Sequence, residues 1–257
     1  MCQLLGMNCN VPTDICFSFE GFRRRGGETD HHADGWGIGF FEGRGCRLFL
    51  DWKSSISSPV AELVRNYPIH STNVIAHIRK ATVGRITLAN THPFMREMWG
   101  RQWLFAHNGD LKTLPGLSGD RFLPVGDTDS EHAFCWLLER LHQRHPKGAA
   151  AEAVHATLAE LAAELAGHGT LNFLLSNGEW LAAHCATRLH YIVRQAPFGR
   201  AHLVDQDVSV DFDALTTPND RVAVIATLPL TDNEQWTAME PGELVVFQDG
   251  QPIGPRR

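Results

Sequence analysis

No stretch of this sequence is apolar over anything close to the roughly 20 residues needed to cross a bilayer. Nor does the N-terminus carry a basic region followed by an apolar one. These absences argue against a membrane-spanning or secreted protein and predict a soluble cytoplasmic one. Positive charge is also scarce. The net charge is -6, and the one compact basic run, Arg23-Arg24-Arg25, is three residues long, so no basic field is available for nucleic acid. None of the six cysteines (Cys2, Cys9, Cys16, Cys46, Cys135, Cys185) forms a Cys-x-x-Cys pair, which removes the usual basis for a structural zinc site. Without a secretory signal they read as reduced thiols, and five of them, all except Cys2, as small buried hydrophobes. Internal repeats and low-complexity linkers are missing too. What remains is a chain of 257 residues, 43% hydrophobic, long enough for a substantial core and suited to one large domain or two small ones.

A third glycine is likewise lacking where a dinucleotide-binding fingerprint needs one, since Phe40 follows Gly35-Trp36-Gly37-Ile38-Gly39. Short strand-like runs dominate the first half: Gln3 to Met7, Trp36 to Phe41, Arg47 to Trp52, Asn73 to Ile78 and Gln102 to Ala106. The period then changes. Apolar residues between Asp129 and His145 recur at helical spacing, and Ala149 to Ala166 is an alanine-rich second helix. Strands resume at Thr170 to Ser176, Glu179 to Cys185, His190 to Arg194, Arg221 to Thr227 and Glu243 to Gln248, with Asn177-Gly178 and Asp249-Gly250 as turns. Strands, two helices and strands again predict an α+β sandwich of two sheets faced by helices, and not a doubly wound βαβ fold.

Four segments carry more polar detail than a core needs: Cys2, Arg79 to Gly84, Ala106 to Leu111, and Gly126 to Glu131. Each also has an ordinary structural explanation. Asn108-Gly109 after a strand suits a turn, and Thr128 to Glu131 ahead of an apolar run suits a helix cap. Together they meet the needs of acyl transfer from an amide. Cys2 supplies a nucleophile. Once Met1 is removed, its own α-amine, with a reference pKa of about 7.7–8.0, supplies a base. The Asn108 amide and the Gly109 N–H suit an oxyanion, and Arg79 with Asp129 suits the carboxylate and ammonium of an amino acid.

In these residues the sequence resembles the class II glutamine amidotransferases, whose glutaminase domains are N-terminal nucleophile hydrolases. The resemblance is carried by Cys2, Arg79-x-Ala81-Thr82-x-Gly84, His107-Asn108-Gly109 and Asp129, in order, and by His32 to Gly43, Asn90 to Phe94 and Arg221 to Trp236, which look like the stand-alone branch of that family. It implies a single domain over residues 1–257, a four-layer αββα sandwich of two mainly antiparallel sheets. It also implies Cys2 as nucleophile, Asn108 and Gly109 as the oxyanion hole, and Arg79, Thr82 and Asp129 as substrate-binding residues, without a metal or other cofactor. Val83 departs from the histidine of the sugar-phosphate-forming members, so their substrate specificity does not carry over. His31, His32, His92 and His107 raise the question of a metal, but no His-x-x-x-His pair supports one.

The implied reaction is hydrolysis of the γ-carboxamide of glutamine through a γ-glutamyl thioester, releasing ammonia. No synthase domain is recognisable, so ammonia passes to an accepting partner protein, or the substrate is a larger γ-glutamyl conjugate, the activity of some stand-alone relatives in thiol metabolism. A different class of function, a non-catalytic glutamine-sensing or regulatory module, would keep the pocket and lose the chemistry.

Overall fold

The computed structural model describes residues 2–30, 32–81, 85–117 and 119–254. Met1, His31, Thr82, Val83 and Gly84 lie outside them. The strands are β1 (Gln3–Thr13), β2 (Trp36–Glu42), β3 (Gly45–Asp51), β4 (Ser71–Ile78), β5 (Phe94–Met98), β6 (Arg101–Leu111), β7 (Gly169–Ser176), β8 (Leu181–His184), β9 (His190–Gln195), β10 (Arg200–His202), β11 (Ser209–Asp211), β12 (Arg221–Ala226), β13 (Thr237–Ala238), β14 (Leu244–Gln248) and β15 (Gln251–Gly254). The helices are α1 (Cys16–Arg24), α2 (Pro59–Asn66), α3 (Asp129–Arg144) and α4 (Ala151–Ala166).

Two antiparallel sheets hold most of the strands, in the orders β13-β9-β12-β1-β4-β2-β3 and β15-β14-β8-β7-β6-β5. Side-chain alternation along each strand explains the layering. In β1, Leu5, Met7 and Cys9 point to the layer containing Phe19 and Phe22 of α1 and Val64 of α2, whereas Leu4 joins Leu104, Leu174 and Leu181 between the sheets. In β6, Trp103 and Phe105 face α3 and α4, and Leu104 and Ala106 face the first sheet. Each sheet is therefore buried on both faces, giving an α+β, four-layer αββα sandwich. Burial on both faces also explains why several strands read as continuous apolar runs, as in Trp36 to Phe41.

The helix-side layer of the second sheet is the most aromatic. Phe134 is fully buried and stacks on Phe105 at 5.2 Å and 3°. Phe134→Ala is expected to lower unfolding free energy by about 3–5 kcal/mol through lost burial and a residual cavity. A chemical-denaturation curve on the variant checks this.

Several expectations need correction. The helices α1 and α2 lie in segments where the sequence predicts none, and Phe19 and Phe22 of α1 are buried in the core. The basic run at the end of α1 is consumed by ion pairs, Arg23 and Arg24 with Glu20, Arg24 also with Glu28, and Arg25 with Asp205. Cys9, Cys135 and Cys185 are buried as expected, but Cys16 and Cys46 are only partly covered. Asn108-Gly109 is not a turn. The strand β6 runs on to Leu111, because β7 pairs with it as far as Gly169.

Candidate functional site

Cys2 immediately precedes β1, and antiparallel pairing of Gln3 with Ile78 brings it beside the end of β4. There the Lys80 N–H donates to Cys2 Sγ at 3.2 Å, and Sγ lies 3.4 Å from the Lys80 carbonyl. The loop at Asp34-Gly35 clamps this segment. Gly35 O accepts from the Arg79 N–H at 2.8 Å, Asp34 N–H donates to Arg79 O at 3.2 Å, and Asp34 Oδ2 accepts from the Ala81 N–H at 2.8 Å. Gly35 adopts φ +117°, a left-handed conformation that glycine takes without strain, and a Cβ there would press on the Asp51 carbonyl.

The second sheet contributes Asn108, whose Nδ2 donates to the Cys2 carbonyl at 2.5 Å. Gly109 follows at a crowded point, where a Cβ would collide with the Thr170 carbonyl and with His107 Nε2. The third contribution is the N-terminus of α3. Thr128 is the N-cap, its hydroxyl accepting from the Glu131 N–H at 3.2 Å, which agrees with the helix-cap reading. Asp129, next in line, accepts from Leu111 N–H at 2.8 Å and from its neighbour Ser130 N–H at 2.9 Å, tying the helix to the end of β6.

Cys2, Arg79, Gly109 and Asp129 line one small cavity together with His92 and His107, and Asn108 reaches it through the Cys2 carbonyl. Thr82 lies outside the described residues. Burial pushes the Cys2 thiol above its ordinary pKa, opposed by the Lys80 N–H and, more weakly, by positive charge that includes Arg79. A neutral thiol of this kind needs a base before it can attack. Arg79 is 3% exposed, and its Nη1 donates to Arg85 O at 2.9 Å. Burial lowers its pKa against the opposing charges of Cys2, Asp34 and Asp127, yet a guanidinium stays protonated near neutrality.

The histidines divide by partner. His32 pairs with Asp30 at 3.0 Å. His107 spends both ring nitrogens: Nε2 donates to Thr170 O at 3.0 Å, which fixes the tautomer, and Nδ1 accepts from the Ser130 hydroxyl at 2.9 Å. No lone pair is left on it for a metal. Burial holds the His107 pKa below its ordinary value despite Asp129 nearby.

Sequence reasoning missed two contributors. Asn172, in β7, donates to Asn108 O at 2.9 Å, and its Oδ1 accepts from the N–H groups of Ala186, Thr187 and Arg188. Its signal was a polar residue inside the apolar run Thr170 to Ser176. Lys80 was passed over because its contribution is made by the backbone. Size alone does not identify the site. A larger cavity of about 290 Å³ borders β9, but there Arg194 is held bidentately by Glu234 at 2.8 and 2.6 Å, so its charge is already matched.

Comparison with known proteins gives consistent results. The family model described as "Glutamine amidotransferases class-II" matches residues 1–256. YafJ of Escherichia coli (strain K12), which carries a provisional glutamine amidotransferase name, is 56% identical over 254 residues, covering 98% of this chain and 100% of its own. The crystal structure of a predicted glutamine amidotransferase from Pseudomonas aeruginosa PA01 superposes with a TM-score of 0.79 at 45% identity, covering 98% of this chain and 100% of that one. A more partial similarity links the chain to the gamma-glutamyl-hercynylcysteine sulfoxide hydrolase of Mycolicibacterium smegmatis, 34% identical over 160 residues, 59% of this chain and 60% of that protein.

Proposed function

The chain belongs to the class II glutamine amidotransferases, and on that premise we propose that it hydrolyses the γ-carboxamide of glutamine through a γ-glutamyl thioester on Cys2. The observation that supports this most is the meeting of Cys2, Arg79, Gly109 and Asp129 around one cavity, with Asn108 hydrogen-bonded to the Cys2 backbone. In the proposed reaction Sγ attacks the γ-carbon, and the free Cys2 amine takes the thiol proton and delivers it to departing ammonia. Charge developing on the carbonyl oxygen is met by the Asn108 amide and the Gly109 N–H. Arg79 takes the substrate α-carboxylate and Asp129 its ammonium. Water then cleaves the thioester to glutamate.

Loss of one oxyanion donor is expected to cost about 10²–10³-fold in kcat, so Asn108→Ala should show that loss with KM little changed in steady-state glutaminase kinetics. Arg79→Lys and Asp129→Asn should act on binding instead. Each is expected to weaken binding of an unreactive glutamine analogue by about 1.5–3 kcal/mol, measured by calorimetry. Unchanged affinity in both variants would mean that the α-groups are held elsewhere.

One further observation favours a larger γ-glutamyl amide as substrate. Ile86, Leu88, Leu123 and Val125 are exposed on two loops joined at Asn90 and Asp127, where Asn90 Nδ2 donates to Asp127 Oδ1 at 2.6 Å and Asp127 N–H to Asn90 Oδ1 at 3.0 Å. Arg85, at the base of the first loop, accepts from Arg79. Exposed apolar side chains on the segment bonded to Arg79 and on the one that precedes the cavity-lining Thr128 suit a leaving amine bigger than ammonia. A panel of glutamine and γ-glutamyl amides, scored for glutamate release, decides between the substrates. Release from none of them would favour a non-catalytic glutamine-binding module.

A further inference from the structure

The proposed reaction gives partners to the nucleophile, the oxyanion and both α-groups of the substrate, and assigns none to the water that completes it. Most polar groups around the cavity are already engaged. Asn108 donates to the Cys2 carbonyl, Asp129 accepts from Leu111 and Ser130, and His107 is bonded at both nitrogens. His92 is different. It lines the same cavity, is only 4% exposed, and neither Nδ1 nor Nε2 has a hydrogen-bond partner among the described residues. Its ring is held by packing alone, 4.2 Å from the His77 ring and 4.4 Å from that of Phe94.

Buried polar atoms in folded proteins are nearly always bonded, so an imidazole kept at this position calls for a partner supplied from the cavity. Burial first, with the Arg79 guanidinium and the neighbouring imidazoles acting in the same direction, holds His92 well below its ordinary pKa. The ring is therefore neutral and offers one acceptor and one donor.

We propose that His92 is a further catalytic residue, holding the water that hydrolyses the γ-glutamyl thioester. The inference rests on the thioester reading above. In this step the water oxygen forms a bond to the γ-carbon and the carbon–sulfur bond breaks with its electron pair going to Sγ. The water proton passes to the Cys2 amine and from there to Sγ. His92 accepts a hydrogen bond from the water throughout and ends in its starting protonation state.

Two variants of the processed, full-length protein test this: His92→Phe, which keeps the ring stack and removes the polar atoms, and His92→Gln, which restores an acceptor. Glutamate release and, with added hydroxylamine, γ-glutamyl hydroxamate formation are measured at saturating glutamine. In His92→Phe, glutamate release is expected to fall about 10–100-fold, the scale of a misplaced reactant. Intact mass should show accumulated γ-glutamyl enzyme. Hydroxylamine, a much stronger nucleophile than water, should keep hydroxamate formation within a few-fold of wild type. His92→Gln should recover part of the hydrolysis. A hydrolysis-to-hydroxamate ratio equal to wild type in both variants overturns the proposal, whether the two reactions persist or fall together. Failure of the thioester reading itself looks different, because wild-type protein would then form neither γ-glutamyl enzyme nor hydroxamate.

Discussion

Replacing Cys2 by alanine is expected to abolish glutamate release while leaving the denaturation midpoint almost unchanged. The proposed covalent intermediate forms on Sγ, so its removal should cost several orders of magnitude in kcat/KM. The effect on stability should be small because only one sulfur atom is lost and the thiol borders the cavity. Its hydrogen-bond contacts among the described residues are with the Lys80 backbone, and the residue is partly exposed. Cys2→Ser keeps the size and the hydrogen-bonding capacity, but a hydroxyl is a far poorer nucleophile at neutral pH, so it too should be nearly inactive. Glutaminase assays on both variants, beside unfolding curves, provide the test. Retained activity in Cys2→Ala would remove Cys2 from the mechanism.

Protein that keeps Met1 is expected to be nearly inactive until the methionine is removed. With Met1 attached the Cys2 nitrogen is a peptide amide and cannot accept a proton, whereas a free α-amine, with a reference pKa of about 7.7–8.0, can do so near neutrality. The demand for a base is greater because burial raises the thiol pKa. Intact-mass measurement paired with a glutaminase assay on processed and unprocessed samples checks the expectation. Equal rates from uniformly processed and uniformly Met1-retaining protein would mean that Cys2 does not use its own amine.

Much of the architecture was readable from periodicity, and the failures have local causes. The helices α3 and α4 are long and repeat their apolar residues at helical spacing, so both were recognised. The helix α1 spans nine residues and contains Gly21; Ile15, Phe19 and Phe22 recur at helical spacing and are buried, but the repeat covers only about two turns, too short to stand out from a strand-rich region, and packing on β1 and β2 offsets its weak propensity. The helix α2 does carry a start signal, Ser58 as N-cap with its hydroxyl accepting from Ala61 N–H and Pro59 in the first turn, but the serines around it read as loop. At Asn108-Gly109 the local turn preference lost to eight consecutive pairings between β6 and β7. A short-range bias of this kind is outweighed when a strand continues inside a doubly buried sheet.

The sequence by itself determined which groups were available for chemistry: a cysteine at position 2, an arginine at 79, an asparagine-glycine pair at 108 and an aspartate at 129, with family motifs around each. It also determined the alternation that buries both faces of each sheet. Only the tertiary structure decided that these groups share a cavity. Their meeting depends on the Gln3–Ile78 register, on the β6–β7 ladder, and on the bond from Leu111 N–H that draws Asp129 to the end of β6. Nor could the sequence distinguish His107, saturated by Ser130 and Thr170, from His92, buried with both nitrogens unclaimed among the described residues. The two residue types are identical. What separates them is whether folding brings a donor or acceptor within about 3 Å of the ring, and that is set by contacts remote in the chain.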